Sequence, residues 1–244
     1  MKISIALIGD QDESVTAHQA IPLAIGLAAD ALQIDTTIEW VSTEAVSSEK
    51  LSQFHAIWCV PDNPYNNPES TLSAIQFARR NDIPFLATCS GYQQAIVEFA
   101  RHVLGFEKAT FENSDGTAHN PETEMPLISV LPSAPVEKSA NVKLAADSQV
   151  ATYYQSKQKP SGNITEDYSS SFVVNQDYLF IFDGSDLYFS GQDESTAPKI
   201  FEIPQHRFFI GTAFQPERSA LKGQIHPLIT GLLQAAVEMK IATA

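Results

Sequence analysis

The residue with the clearest chemical potential is Cys89, which follows the apolar run 85–88 and precedes Ser90 and Gly91. A nucleophile on a sharp strand-to-helix turn is exposed at the carboxyl end of a parallel sheet. The positive end of the following helix predicts a lowered thiol pKa and a reactive thiolate. The backbone N–H of Ser90 is then free to stabilise an oxyanion. The alternative is that Cys89 is a small buried hydrophobic residue at the end of a strand.

The elements that must position Cys89 alternate along the first half of the chain. Short apolar runs predict strands over 3–8, 37–41, 55–60 and 84–88. Periodic apolar positions predict helices over 16–32, 69–80 and 91–104. This alternation favours an α/β fold, with a flavodoxin-like, mostly parallel sheet flanked by helices on both faces.

The second half of the chain has a different pattern, and it predicts a β-rich extension. Short strands are predicted at 127–131, 142–144, 150–154, 172–174, 179–182, 187–189, 200–203 and 207–213, with a last helix over 226–239. The polar segment 155–171 is predicted to be a mobile loop. Because no linker or repeat is evident, residues 1–244 are predicted to form a single domain.

Composition limits the possible partners. The chain has 244 residues with 29 acidic and 15 basic side chains, a net charge of −14. This charge argues against nucleic acid and anionic membrane surfaces as partners. With 43% hydrophobic residues, the chain is expected to be globular. Two cysteines, no apolar stretch of membrane-spanning length and no signal-peptide pattern together favour a cytoplasmic protein.

Four segments resemble those of the class I glutamine amidotransferases, in particular the glutaminase domain of CTP synthase and its stand-alone relatives. Residues 89–101 resemble the elbow and its helix, and residues 8–22 resemble the first strand and helix. Residues 61–65 stand where the family has a glycine-rich oxyanion loop, and residues 211–218 stand where it has His-Pro-Glu. The resemblance runs from about residue 3 to residue 236, so it implies this family's fold for essentially the whole chain.

The resemblance implies a cysteine hydrolase acting on a small-molecule amide, either glutamine or an analogue. Cys89 matches the nucleophile that forms an acyl-thioester and releases ammonia, and Glu217 matches the carboxylate that orients the catalytic histidine. Gln93, Glu112 and Tyr65 match or lie near substrate-binding positions.

Oxyanion donors are expected from Ser90 and from the turn at Asp62 and Asn63. Two glycines are usual at these turn positions, and a carboxylate at Asp62 is unfavourable if it points toward the oxyanion. Pro64 also lacks a backbone N–H.

Three further departures affect catalysis. Gln215 occupies the histidine position, and a glutamine side chain cannot act as a general base near neutral pH. Loss of general acid–base help costs about 10²–10⁴ in rate. The family's arginine that grips the substrate carboxylate falls in 166–175, where this chain has serines instead. Ala87 replaces a usual glycine, which is a mild change.

Another side chain could supply the missing base. Glu166 is one candidate, because burial can raise a glutamate pKa toward neutrality, although a solvated loop carboxylate is the simpler interpretation. Among the histidines, His18 is predicted near the mouth of the sheet and His119 lies in a polar loop. No cluster has metal-ligand spacing and no dinucleotide fingerprint occurs, so no metal and no cofactor are predicted.

Two hypotheses follow. The first is a cysteine amide hydrolase with an ammonia-accepting synthase partner, or a homo-oligomer, and an esterase-like or protease-like hydrolase is a variant of it. The second is a pseudo-amidotransferase, in which Gln215 marks a fold kept for small-molecule binding or protein interaction.

Overall fold

The computed structural model describes residues 1–61, 64–112, 120, 122–131, 138–155, 162–168 and 172–243. The strands are Lys2–Ile8 (β1), Asp35–Val41 (β2), Ala56–Cys59 (β3), Phe85–Thr88 (β4), Ala109–Phe111 (β5), Met125–Val130 (β6), Lys138–Leu144 (β7), Asn163–Tyr168 (β8), Phe172–Val174 (β9), Tyr188–Gln192 (β10), Pro198–Glu202 (β11) and Phe209–Thr212 (β12). The α-helices are Thr16–Leu32 (α1), Ser48–Leu51 (α2), Pro68–Arg80 (α3), Ser90–His102 (α4), Gln149–Gln155 (α5) and Pro227–Ala242 (α6). Short 3-10 helices cover Thr43–Ala45, Gln176–Phe182 and Pro216–Lys222.

Within these residues, nine strands form one sheet in the order β2-β1-β3-β4-β12-β11-β10-β7-β8. The strands from β2 to β12 pair in parallel, and those from β12 to β8 pair antiparallel. A smaller sheet has the order β5-β6-β9. The predicted α/β fold with a parallel half and a β-rich extension is therefore confirmed.

Strands β3, β4 and β12 in the parallel half are buried on both faces, as their apolar sequences require. One core joins alternate residues of β3 and β4 to α3 and α4. The other core joins the opposite residues of the same strands to α1 and α6. Thr88 at the end of β4 pairs with Thr212 at the end of β12. The residues that follow these two strands therefore emerge side by side at one edge of the sheet.

Three sequence predictions for the second half are wrong. Residues 150–154 belong to helix α5, and residues 179–182 belong to a 3-10 helix. Both are short apolar runs, whose helix or strand preference periodicity alone does not decide. The predicted loop 155–171 contains strand β8 over Asn163–Tyr168, which pairs with β7. Its other parts, 156–161 and 169–171, lie outside the described residues.

Candidate active site

The strand-to-helix turn at Cys89 has the geometry of a nucleophile elbow. Strand β4 ends at Thr88, and Cys89 adopts φ 52° and ψ −112° before helix α4 begins. A positive φ in a non-glycine residue costs about 1–3 kcal/mol and is concentrated at functional sites. The backbone N–H of Cys89 donates to Thr212 O at 2.9 Å, which ties the turn to β12. The elbow predicted from the sequence is therefore present.

Gly91 allows helix α4 to approach the sheet closely. A Cβ atom at this position would lie 2.4 Å from the carbonyl oxygen of Cys59 on β3. No side chain fits at that distance, so the glycine two residues after Cys89 is required by packing between helix and strand.

The Cys89 thiol is protonated at neutral pH. Burial, together with the nearby Glu217 carboxyl group, raises its pKa to about 11, and hydrogen bonds from the Ser90 backbone and the Gln215 side chain offset this rise only in part. Roughly one thiol in ten thousand is then ionised at pH 7. The prediction that the helix terminus yields a thiolate at neutral pH is wrong, because desolvation outweighs the positive end of α4.

Gln215 and Glu217 reach Cys89 from the end of β12. The Gln215 side chain hydrogen-bonds the Cys89 sulfur and is also contacted by Arg218, whose Nη1 lies 3.5 Å from Gln215 Oε1. Glu217 is fully buried, and among the described residues neither of its carboxyl oxygens has a hydrogen-bond partner in another side chain. Burial raises its pKa to about 8. The buried Glu217 carboxyl group therefore lies two positions after a glutamine, where the sequence comparison leads us to expect a histidine.

A pocket of about 350 Å³ lies beside the elbow, and four predicted site residues line it: Tyr65, Ser90, Gln93 and Glu112. The Tyr65 hydroxyl donates to Val60 O at 2.6 Å and lies 3.4 Å from Ser90 Oγ. Gln93 is buried on the first turn of α4. The structure thus brings together residues that are separated by up to 47 positions in the sequence.

Part of the hydrogen-bonding capacity of the Glu112 carboxylate is used within the protein. One oxygen of its carboxylate accepts the backbone N–H of Val130 at 2.7 Å. The hydrogen bond fixes the side chain in the wall of the pocket and leaves its second oxygen as an acceptor for a ligand.

Arg101 also lines this pocket and was missed in the sequence analysis. Its Nε donates to Ala109 O at 2.6 Å, and its Nη1 donates to Glu69 Oε1 at 3.0 Å. Helical spacing could have revealed it, because Gln94, Val97 and Arg101 follow one another at intervals of three and four residues on α4. The pocket therefore contains a basic side chain even though the segment 166–175 has no arginine.

The predicted oxyanion turn at Asp62 and Asn63 lies outside the described residues, but both of its flanks are fixed. His18 Nε2 bonds Pro61 O at 2.6 Å on one side. On the other side, Asp10 Oδ2 accepts the backbone N–H of Asn66 at 2.8 Å. Burial raises the pKa of Asp10, but hydrogen bonds from Asn66, Ser42 and Thr43 outweigh it and lower the pKa below its usual value.

None of the described histidines takes the place of the missing base. His18 has both ring nitrogens engaged with backbone groups, since its Nδ1 also accepts from Asp12 N. The other partners are Ser4 for His55, Glu98 for His102, Asp82 for His206 and Tyr154 for His226. His119 lies outside the described residues.

Glu166 does not join the Cys89 cluster in the structure. It lies on β8, where its carboxylate accepts from Tyr154 Oη at 2.8 Å and lies 3.2 Å from His226 Nε2. These three residues line a second pocket that contains none of the predicted substrate-binding residues. The long-range pairing of β8 with β7 places Glu166 there, and the position offers no support for a role as base to Cys89.

In the part of the chain that the structure describes, no group of three His, Cys, Asp or Glu side chains is arranged to hold a metal ion. Over the same residues, no helix is both long and apolar enough to cross a membrane.

Comparison with known proteins gives consistent matches. The family model described as glutamine amidotransferase class-I matches residues 23–235. A CTP synthase from Sulfolobus acidocaldarius is 31% identical over 246 residues, which cover 96% of this chain and 45% of that protein. A CTP synthase from Methanopyrus kandleri is 28% identical over 250 residues, with the same coverage. The chain thus spans less than half the length of these curated relatives.

Solved structures show the same fold. The glutaminase domain of Trypanosoma brucei CTPS, with bound acivicin, aligns with a TM-score of 0.83 at 20% identity and covers 97% of this chain and 94% of that one. A glutamine amidotransferase from Thermotoga maritima aligns with a TM-score of 0.55 at 11% identity, covering 97% and 96%.

Proposed function

The chain belongs to the class I glutamine amidotransferase family, and from that premise we propose that it binds a small amide beside Cys89 and cleaves it through an acyl-thioester. The observation that carries this proposal is the strained elbow at Cys89, with Gln215 and Glu217 on the adjoining strand end. Strain of this kind is maintained where a side chain must be held in one orientation. We also propose that residues 1–244 form a single domain.

The proposed substrate is glutamine or a close analogue. The pocket combines an acidic side chain, Glu112, with a basic one, Arg101. A ligand that carries both an amine and a carboxylate complements this pair. The relatives' names, which include CTP synthase and a glutaminase domain, agree with an amino-acid amide as substrate.

In the proposed reaction, the Cys89 sulfur attacks the amide carbon and the carbonyl electrons move onto oxygen. The N–H of Ser90 hydrogen-bonds the resulting oxyanion. Collapse of this intermediate forms the thioester and breaks the carbon–nitrogen bond, and the nitrogen takes up the proton that the Cys89 thiol has given up and leaves as ammonia. Water then cleaves the thioester to a carboxylic acid and restores the thiol.

Deprotonating Cys89 is the difficult step. With a pKa of about 11, ionising the thiol at pH 7 costs on the order of 5 kcal/mol. No imidazole stands at position 215 to accept the proton. We therefore expect slow turnover compared with an amidotransferase that has a complete triad.

The lack of an imidazole at position 215 also favours a second candidate function, which is a pseudo-amidotransferase that binds a small molecule or a protein without turnover. A thiol hydrogen-bonded to Gln215 can help to hold an amide that it does not cleave. If ammonia is released, we propose that a synthase domain is its acceptor, because the CTP synthases are about twice as long as this chain.

The deciding experiment compares a chloroketone analogue of glutamine with iodoacetamide as labels of Cys89. Adducts are located by mass spectrometry, and buried Cys59 serves as an internal control. Ammonia release from glutamine is measured in parallel for the native chain and for Cys89→Ala. Saturable labelling by the analogue with Cys89-dependent ammonia release supports the hydrolase. Saturable glutamine binding without ammonia release supports the binding module, and failure to bind or label would exclude both a glutamine hydrolase and a module that binds glutamine.

A further inference from the structure

The second pocket is built around two buried polar side chains and one partly buried carboxylate, which come from three separate elements. Tyr154 lies on α5, Glu166 on β8, and His226 immediately before α6. Tyr154 and His226 are 7% and 5% exposed, and the Glu166 side chain is 14% exposed. The cavity that they line has a volume of about 540 Å³. The proposed amide chemistry at Cys89 uses none of these residues.

The hydrogen bonds of this cluster converge on one carboxylate oxygen. Tyr154 Oη donates to Glu166 Oε1 at 2.8 Å, and His226 Nε2 lies 3.2 Å from that same oxygen. His226 Nδ1 accepts the backbone N–H of Leu228 at 3.2 Å, so the proton of the neutral ring is assigned to Nε2. Among the described residues, every hydrogen bond to the Glu166 carboxylate reaches Oε1, which leaves Oε2 as an acceptor.

Several hydrogen-bond donors in the wall of the cavity are already used within the protein. The Thr165 hydroxyl donates to Asn141 Oδ1 at 3.0 Å. The backbone N–H groups of Gly223 and Gln224 donate to carbonyl oxygens at 2.9 and 3.1 Å. Pro227 has no N–H to donate.

The cavity therefore presents the Glu166 carboxylate as its acidic group, beside the hydroxyl of Ser219 and the side-chain amide of Gln224. Such a site selects an occupant that brings its own N–H donors and a positive charge. Burial adds to this preference, because an exposed carboxylate–ammonium pair is worth little whereas a charge-assisted hydrogen bond in a recessed site is stronger.

We propose that the cavity lined by Tyr154, Glu166 and His226 is a binding site for a primary ammonium group, either ammonium itself or a small amine. Glu166 Oε2 receives the N–H donors of the ligand. Tyr154 and His226 hold Oε1, so the carboxylate keeps one orientation and loses little freedom on binding. The proposal does not depend on catalysis at Cys89.

The test is a titration of ¹⁵N-labelled protein with methylammonium chloride, followed by amide chemical shifts. Tetramethylammonium chloride, which carries the same charge without N–H donors, and sodium chloride serve as controls at equal ionic strength. We expect saturable shifts concentrated at 165–166 and 219–226 with methylammonium alone. Shifts that do not saturate, or equal shifts with tetramethylammonium, would overturn the proposal.

Two matched variants locate the site. Glu166→Gln keeps the size of the side chain and removes its charge, and we expect methylammonium affinity to fall at least about tenfold. Glu107→Gln makes the same change at an exposed position outside the cavity, and we expect affinity within about twofold of the native value. Equal weakening by both variants would mean that general surface charge binds the cation. If Glu166→Gln does not fold, the comparison of methylammonium with tetramethylammonium in the native protein still tests whether binding requires N–H donors.

Discussion

Gln215 is the residue that limits the proposed amide cleavage at Cys89. It hydrogen-bonds the Cys89 sulfur but cannot take its proton, and Glu217 is left buried without a hydrogen-bonding side-chain partner in the described structure. The sequence was sufficient to predict that Cys89, Gln215 and Glu217 lie close together, because their motifs are local and occur in the family's order. It could not provide the pKa of Cys89, since desolvation depends on how deeply the folded chain buries the sulfur.

Gln215→His is expected to increase glutamine hydrolysis by about 10²–10⁴-fold. An imidazole at this position would lie near both the Cys89 sulfur and the buried Glu217 carboxyl, and it would supply the missing proton acceptor. Ammonia release at pH 7.5 measures the change. Gln215→Asn is the matched control, since it alters the same side chain without adding a base, and comparable activity in the two variants would contradict this account of the defect.

Alkylation of Cys89 by iodoacetamide is expected to accelerate about tenfold per pH unit from pH 7 to about 10. The thiolate is the reactive form, and below a pKa of about 11 its fraction grows in proportion to hydroxide concentration. The rate should level off only near pH 11. Peptide mapping follows the adduct at Cys89, and a plateau near pH 8 would show that the thiol is far more acidic than its burial implies.

At the scale of elements, the site depends on the parallel pairing of β4 with β12, which brings Cys89 beside the residues that follow Thr212. The strands and helices of the parallel half were predictable because each carries a regular apolar pattern. Helix α5 and strand β8 were not, because their segments are short and their conformation is decided by long-range packing. For the same reason the sequence did not reveal that Glu166 lies beside Tyr154 and His226, which are 12 and 60 residues away in the chain.

Gly91→Ala is expected to destabilise the fold by about 1–3 kcal/mol, since the new Cβ would lie 2.4 Å from the Cys59 carbonyl oxygen. Such a loss lowers Tm by several degrees for a chain of this size. Gly26→Ala in α1 is the control. No atom lies within 4 Å of its added Cβ, and alanine favours the helix by about 0.5–1 kcal/mol. Equal effects in the two variants would contradict close packing of α4 on β3.

At the scale of the whole molecule, two effects connect stability to pH. The net charge of −14 makes the folded chain repel itself, and lowering the pH toward the pI of about 4.7 relieves that repulsion. Glu217 acts in the same direction. Its pKa is about 8 in the folded state against 4.5 for an ordinary glutamate, so the unfolded chain releases this proton first as pH rises. The burial of neutral Glu217 therefore carries no penalty below pH 4.5, and stability is lost progressively between pH 4.5 and 8.

Salt separates the two effects. Surface repulsion is screened at 0.3 M NaCl, whereas a fully buried carboxyl is screened much less. We expect Glu217→Gln to unfold at a higher temperature than the native chain at pH 8, with the difference shrinking toward pH 5 and persisting in 0.3 M NaCl. The shift in pKa sets an upper limit of roughly 5 kcal/mol for this gain. Comparing the two proteins at each pH cancels the opposite contribution of His55 and His206, whose lowered pKa values favour the folded state as pH rises. A difference that is constant with pH, or one that salt abolishes, would mean that Glu217 ionises normally in the folded protein.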